Sequence, residues 1–257
     1  AQMGDYAELP DDIDPAIANA LADRGITQLY SHQREAWDIV RGGRDAVVVT
    51  PTASGKTLCY NLPVIDAVRR GDAKAIYLFP TKALSQDQVA ELLELNKAGD
   101  LGVRVYTFDG DTPGDARQAV RKYGDIVVSN PDMVHQGILP HHTRWARFFE
   151  ALRYVVIDEA HIYRGCFGAH VANVVRRLKR IARFYGADPQ FILCSATIGN
   201  PAEHASALIG RDVTAITRSG APQGQKDIVF WNPPVVNPDL GIRASARSQT
   251  ARIAKAA

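Results

Sequence analysis

The sequence predicts an α/β protein, with a doubly wound and mainly parallel sheet that has helices on both faces. Six short apolar runs, rich in β-branched and aromatic residues, have the length of strands, and helical periodicity lies between them. The runs are almost continuously apolar. This is typical of strands that are buried on both faces, as in a parallel sheet. Regular alternation of such strands with helices favours the doubly wound class.

Capping residues and apolar periodicity predict the positions of the helices and strands. A first helix starts at Asp14-Pro15, where a capping residue precedes a proline at the first helical position, and it ends near Gly25. A second helix is predicted over 31–40. A third is predicted over about 170–185, because its apolar side chains form a single stripe. The predicted strands are 46–49, 76–79, 103–108, 126–128, 154–157 and 191–194.

The composition is that of a folded protein without a membrane span. The chain has 257 residues, of which 46% are hydrophobic and 23% charged, and this excludes a disordered chain, a collagen and a coiled coil. No apolar run approaches about 20 residues, and the acidic N-terminus lacks the layout of a signal peptide. Three scattered cysteines favour a reducing compartment. We therefore expect a cytoplasmic protein, at the nucleoid in a bacterium or nuclear in a eukaryote.

The composition changes after about Arg218, which divides the chain. Residues 219–225 have the composition of a loop, and one further strand is predicted over 228–231. Residues 241–257 are small, polar and basic, and they contain no carboxylate. We expect one domain over 1–225, followed over 226–257 by a linker or by the start of another domain.

A phosphate-binding loop is predicted where the strand 46–49 runs into a helix. Residues 50–57 end in the Gly-Lys-Thr of a Walker A loop, although Thr50 stands where the general pattern has its first glycine. Backbone N–H groups at the start of the helix bind phosphate oxygens, aided by the helix dipole. Lys56 would reach the β- and γ-phosphates of ATP, and the Thr57 hydroxyl would hold Mg²⁺. The predicted ATP-binding residues here are Thr52, Ala53, Ser54, Gly55, Lys56 and Thr57.

Two adjacent carboxylates are predicted to complete the nucleotide site. The strand 154–157 ends in Asp158-Glu159-Ala160-His161, and the carboxyl ends of parallel strands border the crevice where ligands bind. Asp158 can bind Mg²⁺ through water, and Glu159 can orient and deprotonate the attacking water. A surface acidic pair at the start of a helix is the alternative. The presence of Lys56 and Thr57 favours the catalytic interpretation.

Together with further motifs in the same order, these features resemble the first RecA-like domain of a DEAH-box member of the superfamily 2 helicases. The resemblance covers most of residues 20–220. It implies that Gln33, in the pair His32-Gln33, reads the adenine edge. It also implies that one set of residues contacts nucleic acid: Pro80, Thr81, Lys82, Asp109, Gly110, Ser129, Asn130 and Asp132.

The resemblance further implies that His161, Ser195 and Thr197 couple the nucleotide state to the grip on DNA. The alternative for these three is a locally satisfied polar cluster. Pro131-Asp132 would start a helix, which does not exclude phosphate binding there. The cationic side chains in 176–183 form either a solvated face or a ridge that faces DNA.

The stretches 53–56, 161–171 and 176–180 are similar to the mitomycin-repair-factor-type DNA helicases. This similarity implies DNA repair by 3′-to-5′ translocation on single-stranded or forked DNA. It also implies a second RecA-like domain that supplies an arginine finger, so residues 226–257 would be a linker or the start of that domain. Without the finger, we expect this chain to bind ATP weakly and to hydrolyse it slowly.

The leading hypothesis is therefore the N-terminal motor half of an ATP-dependent DNA helicase. An RNA helicase stays open, because nothing in the sequence recognises the 2′-hydroxyl group directly. A non-catalytic, ATP-gated nucleic-acid clamp is disfavoured by intact Lys56, Asp158 and Glu159. A P-loop kinase would leave the motifs after residue 80 unexplained.

Overall fold

The computed structural model describes residues 2–71, 73–225 and 230–256. Residues 3–222 form one compact unit, and the described residues from 223 onward form a second unit together with Gln2. Within the described ranges, no helix combines the length and the apolar content that crossing a bilayer requires.

A seven-stranded sheet forms the centre of the larger unit. Every neighbouring pair of strands in it is parallel, with Val49 level with Ser195 and Leu78 level with Ile157. A short antiparallel pair, β1 (Tyr6–Ala7) and β2 (Leu29–Tyr30), lies outside this sheet. The sheet strands are β3 (Ala46–Val49), β4 (Lys74–Leu78), β5 (Val105–Thr107), β6 (Ile126–Ser129), β7 (Leu152–Ile157), β8 (Gln190–Ser195) and β9 (Thr214–Ile216). Their order is β5-β6-β4-β7-β8-β3-β9, which confirms the predicted class.

Helices cover both faces of the sheet, and successive side chains of a strand pack alternately against the helices of one face and those of the other. Val48 belongs to one buried cluster with α1 to α4, whereas Val47 and Val49 belong to a second cluster with α5 and α7 to α9. The helices are α1 (Pro15–Asp23), α2 (Ser31–Arg41), α3 (Lys56–Arg70), α4 (Lys82–Ala98), α5 (Gly114–Tyr123), α6 (Pro131–Met133), α7 (Ala146–Glu150), α8 (Gly165–Phe184) and α9 (Pro201–Ile209). A π-helical stretch spans Val134–Ile138, and 3₁₀ helices span Leu139–Trp145 and Ala160–Ile162.

The helix starts have local causes. Asp14 accepts the N–H of Ala16 at 2.8 Å and caps α1, as predicted. Helix α8 starts at Gly165, five residues before its predicted start, because its first turn has no continuous apolar stripe. Gly168 allows that turn to lie against the preceding chain, since a Cβ there would be 2.4 Å from the carbonyl oxygen of Tyr163.

The smaller unit contains a hairpin and a helix. Strands β10 (Val235–Asn237) and β11 (Ile242–Arg243) are antiparallel, and helix α10 spans Ala246–Ala256. Part of the strand predicted over 228–231 lies outside the described residues. Phe230 and Trp231, which are described, are in no strand, so the prediction is wrong for these two residues.

Candidate nucleotide and nucleic-acid site

The two predicted halves of the nucleotide site lie at one edge of the sheet. Strand β8 separates β3 from β7, and all three end at that edge because they are parallel. The phosphate loop follows β3 at Thr50, and Asp158 follows β7. Tyr60 joins the halves: its hydroxyl, one turn along α3 from Lys56, donates to Oδ2 of Asp158 at 3.2 Å.

The phosphate loop is a closed turn with two residues in the left-handed region. Ala53 has φ 63° and Gly55 has φ 76°. The hydroxyls of Thr50 and Ser54 lie 2.6 Å apart and are buried. Lys56 Nζ donates to the carbonyl oxygens of Thr50 (2.9 Å) and Pro51 (3.1 Å). The ammonium group thus closes the loop and would exchange these two acceptors for phosphate oxygens.

Gln33 is attached to the phosphate loop. Its Nε2 donates to the carbonyl oxygen of Gly55 at 2.9 Å, and its Oε1 accepts the N–H of Tyr30 at 2.9 Å. A primary amide has a second N–H and a second lone pair, so these bonds leave capacity for an adenine edge. A Cβ on Gly55 would lie 2.7 Å from Gln33 Nε2, which explains the glycine at this position.

His32 is a structural member of the site that sequence reasoning did not single out. Its Nε2 lies 3.0 Å from the carbonyl oxygen of Ser54, and its Nδ1 accepts the N–H of Gly220 at 3.1 Å. These partners select the neutral ring with the proton on Nε2. Burial of the ring, with the charge of Lys56, lowers its pKa. No local signal identifies this role, because Gly220 is distant in sequence.

Asp158 is a carboxylate in a partly desolvated position. Burial raises its pKa to about 6, and the charge of Glu159 adds to this, whereas hydrogen bonds from Glu159 N–H and Tyr60 oppose it. The Glu159 N–H reaches Oδ1 at 2.7 Å. Mg²⁺ prefers hard oxygen ligands and is usually held by one or two carboxylates plus phosphates. The Asp158 carboxylate and the Thr57 hydroxyl therefore fit this ion.

Glu159 and Ala196 compete for one nitrogen of His161. Glu159 has φ 50°, and its Oε2 lies 3.2 Å from Nδ1 of His161. The N–H of Ala196 donates to the same Nδ1 at 3.2 Å. A protonated Nδ1 can donate only to Glu159, and an unprotonated one accepts only from Ala196. Ser195 is buried and donates to the Ala196 carbonyl oxygen, whereas Thr197 is exposed.

The residues predicted to contact nucleic acid lie at the ends of β4, β5 and β6. Lys82 pairs with Asp111 of the loop after β5, and Thr81 caps α4. Asp109 accepts the N–H of Asp111 at 2.9 Å, which shapes that loop. Pro80 is half-buried, and Gly110 is exposed.

The residues at the end of β6 and directly after it do not all face outward, as contact with nucleic acid would require. Ser129 is 4% exposed, and its hydroxyl donates to the carbonyl oxygen of Phe108 at 2.6 Å, so it holds two strand ends together instead of facing solvent. Asn130 accepts the N–H of Met133 and caps α6, as the helix-start alternative expects. Asp132 is exposed.

A parallel sheet that carries a phosphate loop and a carboxylate pair at one edge defines a P-loop nucleotide-binding domain. Residues 30–205, more than half of the chain, match the family model described as DEAD/DEAH box helicase. The chain belongs to the DEAD/DEAH box helicase family, which confirms the predicted resemblance.

Named relatives share this domain. The ATP-dependent helicase YprA of Bacillus subtilis is 54% identical over 248 residues, which cover 96% of this chain and 33% of YprA. The ATP-dependent helicase Hrq1 of Schizosaccharomyces pombe is 41% identical over 239 residues, which cover 91% of this chain and 22% of that protein. The chain thus spans a third or less of the length of these relatives.

Two solved helicase structures superpose on this chain. The DUF1998 helicase MrfA bound to DNA and AMPPNP superposes with a TM-score of 0.95 at 52% identity, over 99% of this chain and 35% of MrfA. The helicase Lhr of Mycobacterium smegmatis, bound to single-stranded DNA and AMP-PNP, has a TM-score of 0.70 at 24% identity, over 82% of this chain and 28% of Lhr. The second likeness shows the fold alone.

Proposed function

We propose that this chain is the N-terminal motor part of an ATP-dependent DNA helicase, which hydrolyses ATP to move along single-stranded or forked DNA. The observation that carries the proposal is the convergence of the Lys56 loop and Asp158 at one sheet edge. Its similarity to MrfA, solved with DNA and AMPPNP, supports DNA as the partner. Because the chain covers a third of YprA, the activity belongs to the longer protein.

Each residue of the nucleotide site has a role in this proposal. The N–H groups of 52–57 and the Lys56 ammonium bind the phosphates, while Gln33 binds the adenine edge and positions Gly55. Thr57 and Asp158 would hold Mg²⁺, which when bound neutralises charge on the β- and γ-phosphates. Glu159 orients the attacking water and accepts its proton. His161 changes partner between Glu159 and the backbone N–H of Ala196, beside Ser195 and Thr197.

The nucleic-acid contacts in this proposal are made by backbone groups and polar side chains at the ends of β4, β5 and β6. They bind phosphates without base specificity, as translocation requires. The contacting residues are Pro80, Thr81, Lys82, Asp109, Gly110, Asn130 and Asp132. Ser129 makes no such contact in this proposal, and its hydroxyl stabilises the strand ends through the carbonyl oxygen of Phe108. We propose 3′-to-5′ movement, from the resemblance to mitomycin-repair-factor-type helicases.

The catalytic machinery is completed by a second RecA-like domain of the same polypeptide. We propose that 1–225 is the first such domain and that 226–257 leads into the second, which supplies an arginine finger. A finger contributes roughly 10³–10⁵ to the rate, so this chain alone would hydrolyse ATP slowly. We propose a cytoplasmic location, at the nucleoid in a bacterium, or a nuclear one in a eukaryote, because the proposed substrates are ATP and chromosomal DNA.

The test is ATP hydrolysis by the full-length polypeptide with single-stranded DNA, duplex DNA and RNA compared at one salt concentration. We expect the strongest stimulation by single-stranded DNA. Stronger stimulation by RNA would make the protein an RNA helicase. Glu159→Gln should abolish turnover while ATP binding persists. Equal turnover in the variant and the wild type would indicate a clamp without catalysis.

A further inference from the structure

A basic groove runs along helix α8, on the sheet face opposite α1 and α4. Its volume is about 650 Å³. Asp132 is the only carboxylate among its lining residues. We name it the α8 groove and define it by those of its cationic and imidazole side chains that are exposed or half-buried: His135, His170, Arg176, Arg177, Arg180 and Arg183.

Charge is concentrated on α8. The helix carries five arginine or lysine side chains and no acidic one, whereas the whole chain has a net charge of +2. The rest of the chain is therefore net negative. Like charges three and four residues apart, such as Arg176 and Arg180, destabilise a helix. An anion in the groove would remove this repulsion.

The arginines of the groove are available to an external anion. Arg176 donates to the neutral amide oxygen of Asn173 at 2.8 Å, and Arg177 lies 3.4 Å from His135 Nδ1. Among the described residues, no carboxylate lies within ion-pair distance of Arg176, Arg177 or Arg180. Arg183 makes an exposed ion pair with Asp188 at 3.4 Å.

Lys179 differs from these arginines. Its side chain is buried, and Nζ donates to the carbonyl oxygen of Ile209 at 2.5 Å, which satisfies the end of α9. It stabilises the fold and is not part of the proposed binding surface.

The groove is continuous with the proposed DNA contacts. It starts at Asp132, which belongs to the motif after β6, and it follows α8 from His170 to Arg183, about 20 Å at 1.5 Å per residue. None of the described residues that line it is Phe, Tyr or Trp, whereas sites for single strands stack bases on aromatic rings. A surface of this kind suits duplex DNA, whose bases are stacked inside and whose phosphates face outward.

We propose that the α8 groove binds the phosphate backbone of the duplex arm of a forked DNA, beside the single strand held at the ends of β4 and β6. This inference rests on the proposed helicase function. The contact is electrostatic and independent of base sequence, so its signature is a dependence on salt concentration. Packing holds helix α8 in place, because Val171, Val175 and Leu178 on its other side are buried.

The experiment uses the full-length polypeptide with the double variant Arg176→Glu/Arg180→Glu. The matched control is Arg24→Glu/Lys97→Glu, an equal charge change at two exposed positions on the opposite face, one directly after α1 and one in the last turn of α4. Affinity is measured from 50 to 200 mM salt for a forked DNA and for its single-stranded tail alone. Each lost duplex phosphate contact lowers the slope of log affinity against log salt by about 0.9.

For the fork, we expect the α8 variant to lower this slope by about 2, and the control to leave it unchanged. Binding of the tail alone and ATP hydrolysis with single-stranded DNA should equal the wild type. The neutral variant Arg176→Gln/Arg180→Gln should reproduce the loss of slope, which separates lost contacts from new repulsion.

A wild-type slope on the fork, or an equal loss in the control, would overturn the inference. The inference would also be overturned if the α8 variant lost affinity for the single-stranded tail as much as for the fork. It would be overturned as well if the variant kept its affinity for the fork and lost only the binding of an acidic protein. Failure of the helicase proposal is distinct, because it would appear as absence of DNA-stimulated ATP hydrolysis in the wild type.

Discussion

The hydroxyl of Tyr60 lies 3.2 Å from Oδ2 of Asp158 and 2.9 Å from Oε1 of Gln88. Tyr60 is on α3, just after the phosphate loop, and Gln88 is on α4, which starts at Lys82. A buried phenol therefore lies between the proposed magnesium ligand and α4, the helix that starts at the proposed nucleic-acid contacts. Since the hydroxyl has one proton, it donates to only one of the two oxygens at a time.

Tyr60→Phe should weaken magnesium use by the full-length protein. The change removes the donor to Asp158 but keeps the ring, and a hydrogen bond contributes about 0.5–1.5 kcal/mol. We expect roughly 2- to 13-fold more Mg²⁺ to be needed for half-maximal ATP hydrolysis. Tyr77→Phe is the control, because the buried Tyr77 packs edge-on against Tyr60 at 5.4 Å and donates to Asn61. An equal magnesium requirement in both variants would refute this role.

Gly55→Ala should weaken ATP binding. Gly55 has φ 76°, and a Cβ would lie 2.7 Å from Nε2 of Gln33. A side chain in such a conformation costs about 1–3 kcal/mol. We expect a loss of affinity of roughly 5- to 150-fold in a titration with a fluorescent ATP analogue. Ala53→Gly, at a position that already has φ 63°, should bind as the wild type does. Undiminished binding by the Gly55 variant would contradict the prediction.

His32 should make the stability of the domain depend on pH. Burial lowers the pKa of His32, so the unfolded chain takes up a proton near pH 6.5 while the folded chain does so only at lower pH. The free energy of unfolding should therefore fall as the pH falls through about 6.5, by at most about 1.4 kcal/mol per pH unit. Thermal unfolding at pH 7.5 and 5.5 measures this.

His32→Gln should reduce that pH dependence, because it removes the titrating ring. The exposed His141 offers a control, since His141→Gln leaves both partners of His32 in place. If the His32 variant kept the full dependence of the wild type, another group would be responsible.

Lys82→Ala and Ser129→Ala should distinguish a residue that binds nucleic acid from one that stabilises the strand ends beside the proposed contacts. Lys82 is exposed, so its loss should lower the salt slope of single-strand binding by about 0.7. Ser129 is buried, so its loss should leave the slope unchanged and reduce the free energy of unfolding by about 1 kcal/mol. The opposite pattern would place Ser129 in direct contact with the strand.

The six predicted sheet strands are confirmed, and five of them are compact apolar runs with both faces buried, whereas β5, at one edge of the sheet, is only half-buried. Strand β9 has only three residues, Thr214–Ile216, at the sheet edge, and so short a run has no distinctive pattern. The start of α8 was placed too late because its first turn, at Gly165–Gly168, forms through close backbone packing instead of an apolar stripe.

The sequence indicated which strand ends carry the candidate site residues, but not the directions of their side chains. The motif containing Ser129 indicated a strand end but not that its hydroxyl is turned inward. Tyr60 lies within an apolar stretch of α3, where it looks like core, and only the tertiary fold brings it to Asp158. The bond between His32 and Gly220 likewise joins distant parts of the chain.

That bond has a mechanical consequence. The backbone at Gly220 is tied to one nitrogen of an imidazole whose other nitrogen is tied to Ser54. A displacement of the backbone at Gly220 would thus reach the proposed phosphate loop by a short route across one rigid ring, in addition to the covalent route through β9.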